Sequence, residues 1–244
     1  MSSANRRGVR AAMLVVLTVG AGAGCVATLP FDELTGGAPK AAAHYGFEEG
    51  SGTVASDGSG RHPALLEGEE AFPQWTQAGK RGGALDFPPD DGWLFIPSLS
   101  ESSFPPRATL AVWVRVRSLS ETEETDVFGI EEDDDVPLLS VWLTSRAVVF
   151  ERFSPSGDRR ESITPPIEPG AWALVVAGWD VPANRALLYV RVDGRAAYPT
   201  QTGELPPDFA PKSPYLVAAA ANGTLDELRF YDRLLSDSEL SSLD

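Results

Sequence analysis

The chain has 244 residues, a formal net charge of -15 and a hydrophobic fraction of 43%. This length and apolar content are sufficient for one large domain with a closed core. The acidic balance disfavours nucleic acid and anionic lipid headgroups as partners, because like charges repel, so we expect no nucleic-acid partner. Acidity of this kind is also typical of a solvated surface without any acidic function.

The first 25 residues have the layout of an export signal. Three arginines precede an apolar stretch from Ala11 to about Ala23, and small residues follow up to Cys25. The apolar stretch is short and contains glycine, whereas a helix that spans a membrane needs about 20 predominantly apolar residues. We therefore interpret residues 1–25 as a signal peptide, with a retained transmembrane anchor as the alternative.

Cys25 is the only cysteine of the chain, which excludes an intrachain disulfide. The small residues Gly22, Ala23 and Gly24 before it resemble a bacterial lipobox, in which the cysteine receives a diacylglyceryl group and becomes the first residue after cleavage. The resemblance implies lipidation at Cys25 and a lipoprotein held in the membrane of the cell envelope. A secreted or periplasmic protein with an incidental Cys25 is the alternative. Val26 lacks an acidic retention signal, which favours the outer membrane.

Residues 26–41 mix Pro, Gly and small residues without periodicity, which is typical of a flexible tether. From Ala42 onward the pattern is β nearly throughout, with short alternating runs separated by Gly, Pro, Asp and Ser. We therefore expect one β domain over residues 42–244. The runs that predict strands are Ala84–Phe87, Trp93–Ile96, Thr109–Val116, Asp126–Ile130, Leu138–Leu143, Ala147–Phe153, Trp172–Asp180, Ala186–Val192, Tyr215–Ala219 and Thr224–Tyr231.

In two of these runs the pattern of apolar residues also predicts which faces of the strand are buried. Thr109–Val116 alternates, so one of its faces is expected to be core, whereas Trp172–Asp180 is apolar on both faces and is expected to be a central strand. Asp193 and Gly194 are typical of a tight hairpin turn. Ser236–Leu243 predicts a helix, since Ser236 and a glutamate three residues later form a capping box. The pattern indicates an antiparallel sandwich.

Six segments occur in the order found in a known family. They are HYGFEEGSGTVASDGSGRHPALLEG, AGKRGGALDF, ATLAVWVRV, EPGAWALVVAGWD, LLYVRVDGR and GTLDELRFYDRLLSDSEL. Together they resemble the laminin G-like, concanavalin A-like domain of exported bacterial proteins. The resemblance implies an all-β fold: an antiparallel two-sheet jelly-roll sandwich with one short C-terminal helix.

The same resemblance implies that the last strand lies beside the first, near His44, and that the helix covers the seam between them. Alternation along the last strand then predicts that Leu228 and Phe230 pack inward while Glu227 and Arg229 point outward.

The resemblance also implies a structural calcium ion where the N-terminal loop meets the last strand. Asp57 and Asp226 would be its ligands, together with backbone carbonyls, since calcium prefers hard oxygen ligands. An Asp in a Ser-Gly-rich loop is, alternatively, a turn former that bonds its own backbone. The acidic run from Glu131 to Asp135 lacks the spacing of a calcium loop and predicts a solvated hairpin tip.

Glycan binding requires aromatic platforms beside polar groups. Trp113, Trp172 and Trp179 fall in predicted strands and are expected in the core. Trp75 and Trp93 lie nearer to loops and are the candidate ligand-binding residues.

Laminarinase-type glycosidases share this fold and carry a Glu-x-Asp-x-x-Glu motif on one strand, which we do not find. His44 and His62 belong to no catalytic or metal-binding arrangement. We therefore expect no enzyme, but an exported, lipid-anchored binding module for a glycan or an envelope protein. The alternatives are a glycoside hydrolase on the same fold and a structural module of an envelope assembly.

Overall fold

The structure, a computed structural model, describes residues 39–89, 91–97, 105–132, 136–154, 156–207, 209, 215–219 and 222–244. The predicted signal peptide, Cys25 and most of the predicted tether lie outside these residues, so the predictions made for them are not tested. No helix within the described ranges is long and apolar enough to cross a membrane.

Sixteen strands and one helix are found in the described part of the chain. They are β1 (Ala43–Tyr45), β2 (Val54–Ala55), β3 (Ala64–Glu67), β4 (Gln74–Thr76), β5 (Ala84–Phe87), β6 (Trp93–Ile96), β7 (Arg107–Val116), β8 (Thr125–Glu132), β9 (Val136–Leu143), β10 (Val148–Phe153), β11 (Arg159–Thr164), β12 (Ala173–Asp180), β13 (Arg185–Val192), β14 (Gln201–Gly203), β15 (Tyr215–Ala218), β16 (Gly223–Tyr231) and α1 (Asp237–Ser242). Each run that predicted a strand coincides with one. Several of the additional strands are short, and β11 is strongly charged.

The strands form two antiparallel sheets. The back sheet has the order β14-β13-β12-β7-β16-β5-β4, and β1 also pairs with β16. The front sheet has the order β11-β10-β9-β8-β15-β6-β3-β2. Apolar side chains from both sheets form the core between them, so the predicted sandwich is confirmed.

A second apolar cluster lies on the outer face of the back sheet. Ala111 and Trp113 of β7 pack there with Leu174 and Val176 of β12, under Leu240 of α1. The prediction that only one face of β7 is core is therefore wrong, because the C-terminal segment covers the other face. The prediction that β12 is buried on both faces is confirmed.

The first and last strands pair as predicted. Ala43 lies opposite Phe230 and Tyr45 opposite Leu228, and both residues of β16 are buried in the core. The capping box is also confirmed, since the backbone N–H of Ser236 donates to Glu239 at 2.9 Å.

Glu227 and Arg229, however, do not project into solvent. A β-bulge interrupts β16 between Asp226 and Arg229, and Glu227 has a positive φ of 54°. Glu227 is only 7% exposed, accepts a hydrogen bond from His44 Nε2 at 3.1 Å and pairs with Arg229. Burial raises the pKa of Glu227, but the hydrogen bond from His44 and the charge of Arg229 outweigh it and leave the pKa lowered.

We expect Leu240→Ala to lower the free energy of unfolding by about 2–5 kcal/mol, because it removes a fully buried side chain from the outer cluster. Chemical denaturation measures this change. Ser241→Ala is the matched control, since Ser241 is exposed on the same helix. Equal stability of the two variants would contradict the packing of α1 described above.

Candidate functional site

A groove with a volume of about 1250 Å³ lies on the outer face of the front sheet. Along β6 the side chains of Leu94 and Ile96 enter the core, so Trp93 and Phe95 stand on the opposite face and line the groove. The other lining residues come from β3, β8, β9, β10 and β15, from the loop between β3 and β4, from the segments that precede β6 and β8, and from the residue after β15. The groove therefore crosses the interior strands of the front sheet.

One row of neighbouring residues forms the floor of the groove. In order across the strands it runs Phe95, Val217, Gly129, Ser140 and Glu151. The row is apolar at one end and acidic at the other, with two small residues in between. A Cβ at Gly129 would lie 3.2 Å from a backbone oxygen of β9, so the glycine permits the close approach of the two strands there.

The structure separates the two tryptophans predicted as ligand-binding residues. Trp93 lines the groove, and its indole Nε1 donates to a carboxylate oxygen of Glu67 at 3.1 Å. Trp75 lies on β4 of the back sheet, donates from Nε1 to the carbonyl oxygen of Gly52 at 2.7 Å and packs against the core. Trp93 is thus the tryptophan placed for ligand contact. Phe95 on the same strand and Phe153 on β10 are further aromatic lining residues that no local sequence pattern indicated.

The charged residues that line the groove are all acidic in the part of the chain that the structure describes. They are Glu67, Glu69, Glu70, Asp91, Glu124, Asp126, Glu131 and Glu151. No local sequence pattern indicated this set, because the residues come from separate strands and loops and meet only in the folded sheet. Glu131 belongs to β8 and lines the groove, whereas Asp133–Asp135 lie outside the described residues, so the predicted hairpin tip is not tested.

Asp126 and Glu151 form the acidic end of the groove, on either side of Ser140. Solvent reaches Asp126, but the surrounding walls desolvate its carboxylate and raise its pKa; a hydrogen bond from Ser140 opposes the rise, and the charge of Glu151 adds to it. Burial likewise raises the pKa of Glu151, although Trp142 and Arg159 oppose the rise. Both carboxyl groups therefore hold protons at higher pH than ordinary acids.

Asp91 shapes the rim of the groove at the aromatic end. Its carboxylate accepts hydrogen bonds from the backbone N–H groups of Glu69, Glu70, Ala71 and Gly92. These bonds, led by the one from Ala71, lower the pKa of Asp91. The carboxylate is thus committed to fixing the loop before β4, on which Glu69 and Glu70 are exposed.

The two predicted calcium ligands hold loops in this structure. Asp57 accepts from the backbone N–H groups of Ser59 and His62, both at 2.8 Å, and Asp226 accepts from those of Arg81 and Glu227 at 2.8 and 2.7 Å. Burial raises the pKa of Asp226 to about 6. Burial acts in the same direction on Asp57, but its hydrogen bonds outweigh it and lower the pKa.

This arrangement does not fit a metal site as it stands. Within the described ranges, no group of three or more His, Cys, Asp or Glu residues is placed to hold a metal ion. The bonds from Ser59 and His62 match the turn-forming alternative for Asp57. Calcium at Asp57 and Asp226 remains a prediction from the sequence.

The comparison with known families fits this architecture. A laminin G-type profile described as the concanavalin A-like lectin/glucanases superfamily matches residues 90–241. The chain belongs to this superfamily. A search of curated proteins gave no match.

Solved structures with the superfamily fold include toxin domains. The binding domain of paraclostridial mosquitocidal protein 1 is 16% identical, with a TM-score of 0.59, over 83% of this chain and 51% of that one. The binding domain of botulinum neurotoxin DC, in complex with rat synaptotagmin II, is 10% identical, with a TM-score of 0.62 and the same coverage. The same domain in complex with SialylT has a TM-score of 0.59, 10% identity and coverage of 82% and 49%. The chain spans about half the length of these structures, and identities this low show the fold alone.

We expect Glu151→Gln to lower the pKa of Asp126, because it removes a negative charge that now disfavours ionisation of the neighbouring carboxyl group. An NMR titration of the Asp126 side-chain carbon measures this shift. Glu161→Gln is the matched control, because Glu161 acts on Glu151 but not on Asp126. The assigned geometry is wrong if both variants move the Asp126 titration equally.

Proposed function

We propose that this protein is an exported, lipid-anchored and non-catalytic binding module of the bacterial cell envelope, and that the groove on the front sheet holds its ligand. The observation that carries the proposal is the lining of this groove, in which Trp93 and Phe95 lie beside carboxylates on a rigid sheet. Aromatic rings contact the apolar faces of sugar rings, and carboxylates accept hydrogen bonds from sugar hydroxyls. A glycan is therefore the ligand class that fits best.

The solved structures support binding in general. The botulinum neurotoxin domain is described with a protein, synaptotagmin II, and with SialylT. A domain of this fold therefore has the capacity to serve as a binding module, and a protein ligand at the envelope is the alternative to a glycan.

Glycoside hydrolysis is the second candidate function, and one observation favours it. Asp126 and Glu151 are two carboxyl groups in one groove, both with raised pKa, and a raised pKa on one carboxyl group of such a pair is required for acid catalysis on a sugar. They stand on two different strands, and Glu151 is held in an ion pair with Arg159. A nucleophile bound to a guanidinium has reduced reactivity, and this pairing favours binding over hydrolysis.

We expect Trp93→Ala to weaken glycan binding about tenfold or more, since truncation of an aromatic anchor in an interface costs about 2 kcal/mol. Retention on a glycan array, followed by calorimetry with the retained glycan, measures the loss. Phe72→Ala is the control, because Phe72 is an exposed aromatic residue outside the groove. The unfolding temperature of each variant shows whether the fold is intact.

Each alternative gives a different result in the same assays. Hydrolysis would release reducing sugar, and Asp126→Asn and Glu151→Gln would abolish the release. A structural module would bind no glycan and would instead copurify with a stable envelope partner. Binding that is unaffected by Trp93→Ala would place the ligand outside the groove.

We expect Cys25→Ser to abolish acyl labelling and partition of the protein into the detergent phase, because the thiol is the atom that would carry the diacylglyceryl group. Metabolic labelling with a fatty-acid analogue measures this change. Persistence of both signals in the variant would exclude Cys25 as the site of lipid anchoring. Partition into the detergent phase without acyl labelling of either form would favour a retained membrane helix.

A further inference from the structure

We propose that the ligand of the groove is a glycan that carries protonated amino groups, so that the protein selects amino sugars over neutral or acetylated ones. This inference rests on the proposed function, namely that the groove is a glycan site. It goes further in assigning the charge of the ligand, which neither the fold nor the superfamily fixes.

The charge of the residues that line the groove is the first observation that supports a cationic ligand. Eight acidic residues line the groove, of which only Asp91 has its carboxylate committed to a loop backbone, and among the described lining residues there is no Lys or Arg. A neutral sugar needs both donors and acceptors for its hydroxyl groups, but ionised carboxylates only accept hydrogen bonds. A protonated amino group is donor-only and positively charged, so it complements such a lining in both respects.

An internal contact shows how a cation occupies the acidic end. The guanidinium of Arg159 pairs with the buried carboxylate of Glu151 and lies 2.7 Å from Glu161. The Arg159 side chain is half exposed, whereas that of Glu151 is 6% exposed, so the cation enters from the solvent side. The nearby Glu124 and Asp126 have no ion pair with any Lys or Arg in the described residues. Arg159 thus neutralises one carboxylate, and two others at the same end remain for a ligand.

The position of the groove within the sheet favours a glycan over a peptide. Each strand that lines the groove has a paired neighbour on both sides, so no free strand edge faces the ligand. A peptide that binds by adding a strand needs such an edge. The groove presents side chains instead: Trp93 and Phe95 lie with Glu67 at one end, and Phe153 lies with Asp126 and Glu151 at the other. A chain of sugar rings with amino groups can contact such a combination along its length.

The decisive experiment compares two ligands with the same sugar backbone, one with charged amino groups and one with neutral acetylated amino groups. Calorimetry at pH 6 with the purified full-length protein would use a glucosamine hexamer and an N-acetylglucosamine hexamer. We expect the glucosamine hexamer to bind at least tenfold more tightly, and its affinity to fall with added salt because the charges are screened. Hexalysine, which has the same number of side-chain amino groups on a peptide, is the third probe.

Two matched pairs of variants place the effect in the groove. Glu124→Gln removes an exposed carboxylate of the lining, and Glu123→Gln makes the same change one residue outside it. We expect only Glu124→Gln to weaken glucosamine-hexamer binding, by about two- to fivefold. Arg159→Gln should strengthen binding by a similar factor, since it removes a positive charge from the acidic end of the groove. Arg146→Gln is its control, because it changes the net charge equally but at an exposed ion pair with Glu121, and it should leave binding unchanged.

The outcomes separate the inference from the proposed function. Equal affinity for the two hexamers, lost in Trp93→Ala, would overturn the amino-sugar inference and leave the glycan site intact. Tighter, Trp93-dependent binding of hexalysine would overturn it in favour of a cationic peptide. Binding of none of the three probes or of any arrayed glycan would overturn the proposed function and the inference with it.

Discussion

The structure depends on the burial of apolar side chains between two antiparallel sheets. Within one of these sheets the first strand pairs with the last. Pairing of Ala43–Tyr45 with Leu228–Phe230 joins the two ends of the domain within the back sheet. The bulge in β16 follows from this closure, because the same strand must pair with β1, β5 and β7 along its length. The bulge withdraws Glu227 from solvent and gives it His44 and Arg229 as partners.

The C-terminal segment turns the back sheet into a layer buried on both faces. Trp113 lies under this cover and receives the ammonium of Lys80 at 4.6 Å from its ring, while Leu240 seals the cluster from the helix side. The front sheet differs, because its outer face carries a groove instead of a cover. The back sheet is thus stabilised on both faces, whereas the front sheet carries the groove that we propose as the ligand site.

Electrostatics distinguish this groove from an ordinary solvated sheet face. Carboxylates gathered on one surface repel one another, and desolvation and the charge of Glu151 together raise the pKa of Asp126. Such an arrangement costs free energy at neutral pH unless a cation is near. Arg159 meets part of this need within the chain, and a cationic ligand would meet the rest.

Alternation of apolar residues was enough to predict the long strands, the sandwich and the inward positions of Leu228 and Phe230, because these depend on local periodicity. The capping box at Ser236 was enough to predict the helix, because a cap is also a local pattern. The short strands and β11 have too weak a pattern to be predicted. Burial of the second face of β7 depends on a helix more than 100 residues away in the chain. Trp93 could be predicted as an aromatic residue near a loop. That Trp93 and Trp75 lie on different sheets could not be predicted. The groove itself was decided by tertiary structure, since strand order and register alone bring Phe95, Gly129, Ser140 and Glu151 into one row.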